Sequence, residues 1–181
     1  RAMFDEVQRT FGGLDILGLN ASGGMESGMA EDYALLLNRD AQVNVLETAL
    51  PVLKDDARVV FVTSHQAHFI RTTPTMPEYE PVALSKRAGE DALRAKLPEL
   101  TERGVELVVV SGDMIEGTIT ATLLERANPG AIAERKTSAA RLYNVQAFAA
   151  DVAAPAVEPI PSAHTPSAPP TPPPGPPARP A

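Results

Sequence analysis

The chain has 181 residues, a formal net charge of -7, no cysteine and three histidines. The acidic balance, without clustered Lys and Arg, excludes a protein that binds nucleic acid by neutralising phosphates, and the missing cysteines exclude disulfides and thiolate metal sites. No apolar run approaches the roughly 20 residues of a membrane span and no signal peptide opens the sequence, so a soluble, cytoplasmic protein with no membrane partner is expected.

The first residue is Arg1, already inside an amphipathic pattern in which Met3, Phe4, Val7 and Phe11 recur at helical spacing, so the sequence is expected to begin mid-protein. That first helix should close at Gly12 and Gly13, which tolerate the left-handed conformation that ends helices. A short apolar run over residues 14–20 reads as a strand, residues 31–56 as a long helix, and residues 58–64, "RVVFVTS", as a second strand. An irregular loop with Pro74 and Pro77 follows, and a helix is expected from near Pro81 to Gly104, because proline is pre-organised for the first helical position. Residues 105–111 read as a third strand, and residues 118–128 and 142–153 as further helices. The first two strands are continuous in apolar residues instead of alternating, which suits a parallel sheet covered on both faces. Alternation of helix and strand then predicts an α/β fold: part of a doubly wound, Rossmann-type sheet with three consecutive parallel strands.

Twelve of the eighteen prolines lie from Pro155 onward, in a segment almost without large apolar residues. Residues 155–181 are therefore expected as a disordered, Pro-rich tail, and residues 1–154 as the foldable domain.

Parallel strands joined by right-handed crossovers bring their carboxyl ends to one rim, where ligands bind. The three strands end in "NASGG", "TSHQ" and "SGDMIEGT", all polar or Gly-rich. These tips are the expected site.

Those residues also carry a resemblance. "FGGLDILGLNASGG", "AQVNVLETALPVL", "RVVFVTS", "VALSK" and "VELVVVSGDMIEGT" stand in the order of five motifs of the short-chain dehydrogenase/reductase family, over about residues 1–153. The resemblance implies hydride transfer between NAD or NADP and a small carbonyl or alcohol substrate, by a parent protein expected to be a homo-oligomer. It assigns Ser64 to the substrate oxygen, Lys86 to the nicotinamide ribose and Asn44 to a proton relay. Asn20, Ala21, Ser22, Gly23, Lys86, Gly112, Ile115 and Thr118 fall at positions that contact the cofactor in the family.

Two departures qualify it. Val82 stands where the family keeps its proton-transferring tyrosine, four residues before Lys86. Tyr79, seven residues before Lys86, would share its helical face only if the helix reached back that far. Pro81 predicts otherwise, since the residue before a proline is pushed toward extended backbone, leaving Glu80 extended and Tyr79 on the loop, from which it can swing into the site. His65 or His68 is an alternative acid, because imidazole titrates near neutral pH, although both are better read as lining a substrate loop. The family's Gly-rich pyrophosphate turn is also absent from these residues. Three readings follow: an oxidoreductase whose acid has moved, a non-catalytic dinucleotide-binding or dimerisation scaffold that lost its acid at Val82, or an inactive truncated gene product. This chain by itself is expected to be inactive.

Overall fold

The computed structural model describes residues 1–139 and 142–158. Helix α1 (Ala2–Phe11) is closed by Gly12 at φ 72°, whose N–H donates to the Gln8 carbonyl. Strand β1 (Leu14–Leu19) leads by way of the following helices to β2 (Leu53–Ser64) and then β3 (Glu106–Gly112), all parallel, in the order β1-β2-β3. Register runs from Arg58↔Glu106 to Ser64↔Gly112, and Leu19 pairs with Phe61. The three tips therefore reach one rim, as the α/β reading required.

The segment expected as one helix over residues 31–56 is divided. It comprises α2 (Tyr33–Leu35), a π-helical stretch (Leu36–Asp40), α3 (Ala41–Ala49) and a 3-10 turn (Leu50–Val52), after which β2 begins at Leu53. Pro51 ends the helix, having no N–H to continue the ladder.

Glu80 is not extended. It is the first residue of α5 (Glu80–Arg94), with Pro81 in the first turn, where a missing N–H leaves no hydrogen bond unmade. The helix expected to reach Gly104 breaks after Arg94 and resumes as α6 (Leu97–Glu102), again with a proline in its first turn. The loop after β2 contains a short helix, α4 (His65–His68). Beyond β3, β4 (Ile115–Glu116) pairs in parallel with β5 (Tyr143–Asn144), and between them lie α7 (Ile119–Ala127) and α8 (Ala131–Ala139). Helix α9 (Val145–Val157) continues through Pro155, past the boundary drawn at residue 154, and the tail from residue 159 lies outside the described residues.

Leu17, Leu19, Leu46, Val59, Phe61, Leu93 and Leu100 form the larger core, joining β1 and β2 to α3, α5 and α6. Val60 and Val62, buried on the opposite face of β2, lie under the side where α9 packs on β2 and β3. Helix α5 meets the π-helical stretch at Gly89, where a Cβ would land on the Asn38 carbonyl oxygen, with the carbonyl carbon only 3.1 Å away. Gly89→Ala is expected to lower stability by about 1–3 kcal/mol, because the obstacle is backbone and cannot rotate aside. Urea unfolding checks this, and an unchanged midpoint would show that the two helices can separate freely.

No described helix is long and apolar enough to cross a membrane.

Candidate active site

A cavity of about 370 Å³ opens at the carboxyl ends of the three strands. Asn20, Ser22 and Gly23 line it after β1, Ser64 and Gln66 after β2, and Gly112 to Ile115 after β3. Helix α5 contributes Tyr79, Val82 and Lys86, and α7 contributes its N-cap Thr118 and first two turns.

Ser64 is held by its position. It is the last residue of β2 and the N-cap of α4, with its Oγ accepting from the Ala67 N–H at 3.1 Å. The Tyr79 hydroxyl donates to the same oxygen at 3.2 Å. Tyr79 is the N-cap of α5, its carbonyl accepting from the Ala83 N–H at 2.9 Å, and its residue is 5% exposed. Tyr79 thus stands on the turn directly before the helix, as the loop expectation had it, while the helix starts at Glu80, one residue earlier than Pro81 suggested, and the phenol lies inside the site. Burial raises the Tyr79 pKa above its ordinary value, and the Ser64 bond acts in the opposite direction.

Lys86, two turns along α5, opens on the same cavity and has no hydrogen-bond or ion-pair partner among the described residues. Burial disfavours its ammonium form and lowers its pKa to about 8. In the unfolded chain the amine returns to its ordinary value of 10.5, so between about 8 and 10.5 the unfolded state holds the extra proton. The half-buried ammonium therefore lowers stability at neutral pH, and that deficit is relieved as pH rises through this window. Lys86→Met is expected to raise stability at pH 7 by on the order of 2 kcal/mol, with the difference shrinking toward pH 10.5. A urea midpoint unchanged or lowered at pH 7 would show that the amine is solvated.

Asn44 is misplaced by the sequence reading. It is exposed on α3, does not line the cavity, and its carbonyl accepts from Thr48 Oγ1 at 2.6 Å. Asn38, in the π-helical stretch, is the buried asparagine. Its Nδ2 donates to the Gly23 carbonyl at 2.8 Å and to Ser85 Oγ at 2.9 Å, and its Oδ1 accepts from the Gly23 N–H at 3.2 Å. One side chain thus ties the rim loop after β1 to helix α5. Gln42 adds a second tie, donating to the Ala21 carbonyl at 2.7 Å. Neither residue was singled out from the sequence.

Of the positions assigned to the cofactor, Asn20, Ser22, Gly23, Lys86, Gly112, Ile115 and Thr118 line the cavity, whereas Ala21 does not. Neither His65 nor His68 lines it. His68 Nδ1 instead bonds to the Glu90 carboxylate at 2.9 Å, and burial lowers the pKa of His65. Asp113 at the rim is engaged by Arg135 of α8 through two bonds of 2.7 and 2.8 Å.

No family model matches the chain, and no curated protein does. Among solved structures it is similar to 3-oxoacyl-[acyl-carrier protein] reductase from Brucella melitensis in complex with NAD, at 20% identity and a TM-score of 0.68. That likeness covers 86% of this chain and 64% of that one. The chain has part of the fold of this reductase. It is also similar to enoyl-[acyl-carrier-protein] reductase (NADH) from Aquifex aeolicus VF5, at 16% identity and a TM-score of 0.54, over 64% of this chain and 52% of that one. The chain thus spans between about half and just under two thirds of the length of these two reductases. The partial Rossmann fold expected from the sequence is the fold found.

Proposed function

We propose that this chain is the nicotinamide-side and substrate-side portion of an NAD(P)-dependent oxidoreductase of the short-chain dehydrogenase/reductase type, acting on a carbonyl or alcohol. The observation that carries the reading is the Tyr79 hydroxyl 3.2 Å from Ser64 Oγ, on a cavity that Lys86 also enters. An acid, an orienting hydroxyl and a cation are the groups that carbonyl reduction requires. Their meeting on one cavity disfavours the scaffold reading, because Tyr79 takes the place that Val82 cannot fill.

The residues present fit half of a dinucleotide. Lys86 offers N–H donors with no described protein partner, suited to ribose hydroxyls, and the Gly-rich tips after β1 and β3 allow close approach of a flat ring. The bound dinucleotide, NAD or NADP, supplies the hydride. Ser64 and Tyr79 hold the substrate oxygen, Tyr79 exchanges the proton with it, and the Lys86 charge favours the phenolate form. The proposal places the protein in the cytoplasm as a homo-oligomer, with exposed Leu36, Val45 and Leu84 available for contact between copies. Its test is consumption of NADH or NADPH by the full-length protein over a panel of small ketones and aldehydes. Turnover with at least one is expected, and none with either cofactor would remove the enzyme reading.

A further inference from the structure

The sequence contains four lysines: Lys54, Lys86, Lys96 and Lys136. Three are neutralised by carboxylates, Lys54 by Asp15 at 2.9 Å, Lys96 by Glu47 at 2.6 Å and Lys136 by Glu116. Lys86 alone of the four has no such partner among the described residues, although Asp and Glu outnumber Lys and Arg by 23 to 16. Its surroundings on α5 are chemical in a particular way. Val82 lies one turn before it and Tyr79 two turns before it, and all three border the same cavity. Side chains on a helix lean toward its N-terminus, so the lysine stem reaches along the wall toward Val82 and the phenol. Val82 is 4% exposed and brings neither charge nor hydrogen bond to the amine.

We propose that Lys86 is a nucleophilic amine that captures small aldehydes and ketones as an imine inside this cavity. This chemistry is separate from hydride transfer and holds whether or not the longer protein is a reductase. An amine is a nucleophile only when neutral; at neutral pH the ammonium remains the major form of Lys86, and its removal from water enlarges the neutral minority that reacts. The lone pair of the amine attacks the carbonyl carbon, a C–N bond forms, and the carbonyl oxygen takes a proton from the nitrogen to give a carbinolamine. The Tyr79 hydroxyl then protonates the carbinolamine oxygen, the C–O bond breaks and water leaves as the nitrogen lone pair closes the C=N bond. The proton left on nitrogen returns to the Tyr79 oxygen. Aldehyde and amine thus become imine and water, with nothing oxidised or reduced.

The 181-residue chain is incubated at neutral pH with propanal and sodium cyanoborohydride, which reduces each imine to a stable propyl-lysine, and the label is mapped by peptide mass spectrometry. Labelling at Lys86 is expected to exceed that at each of the other three lysines by about tenfold, since their amines are held by carboxylates. In concentrated urea the preference should vanish, because all four amines are then solvated alike. Even labelling of the folded chain, absence of label at Lys86, or a preference that survives urea would each overturn the proposal.

Discussion

Replacing Tyr79 by Phe in the full-length protein should lower kcat for carbonyl reduction by about 10²- to 10⁴-fold while the affinity for NAD(P)H is retained. The substitution removes one oxygen and keeps the ring that fills a site where the residue is 5% exposed, so the fold has no reason to change. Ser64 keeps its Ala67 bond and its place at the end of β2. The loss therefore isolates proton transfer. Turnover unchanged by Tyr79→Phe would remove the tyrosine from the mechanism and return the role to another group. A parallel loss of cofactor binding would instead mean that the phenol shapes the cavity.

Glu90→Ala should have the largest effect on stability, a loss of about 3–5 kcal/mol in urea unfolding. The Glu90 carboxylate has no exposed surface, yet three cationic or ionisable side chains converge on it: His68 Nδ1 at 2.9 Å, Arg94 Nε at 2.8 Å and Arg87 at 3.8 Å. Alanine deletes a fully buried acceptor shared by three donors and leaves a void in its place, and losing such a buried network is far more costly than the loss of a surface pair, even though Arg87 keeps Asp91 at 2.9 Å. The same change loosens α4 from α5, because the His68 to Glu90 bond is one of the ties between them, and Arg87 to the His68 carbonyl at 2.8 Å is retained. Exposed Glu6, bonded to Arg9 on the surface, supplies the contrast: Glu6→Ala should leave the urea midpoint close to that of the natural sequence. Equal losses from the two substitutions would mean that water reaches Glu90.

The three strands and their common rim were legible because each strand is a short apolar run ending in polar or small residues, a pattern that needs no tertiary information. The helix between β1 and β2 was legible only in outline. Its asparagines, Asn38 and Asn44, stand six residues apart on a path that includes a π-helical stretch, so helical periodicity alone does not say which one is buried. A polar residue directly after the Leu35–Leu37 run was the available sign for Asn38. The extended backbone expected at Glu80 failed for a different reason. The rule that a residue before proline is extended is a local preference, and here Glu80 is helical while the neighbouring Tyr79 ring is buried against Ser64. The unpaired state of Lys86 was not readable, because the nearest carboxylates of Lys54, Lys96 and Lys136 lie 39, 49 and 20 residues away in sequence and meet them only through the fold, Lys96 having a second, more distant partner in Glu99.

The most direct test of the central claim uses full-length protein and NADH or NADPH deuterated at the nicotinamide C4 position, with mass spectrometry of the alcohol formed from a ketone panel. The account predicts deuterium on the carbinol carbon with the natural sequence and its near absence with Tyr79→Phe. No deuterium transfer from either cofactor, or equal transfer by the variant, would contradict it.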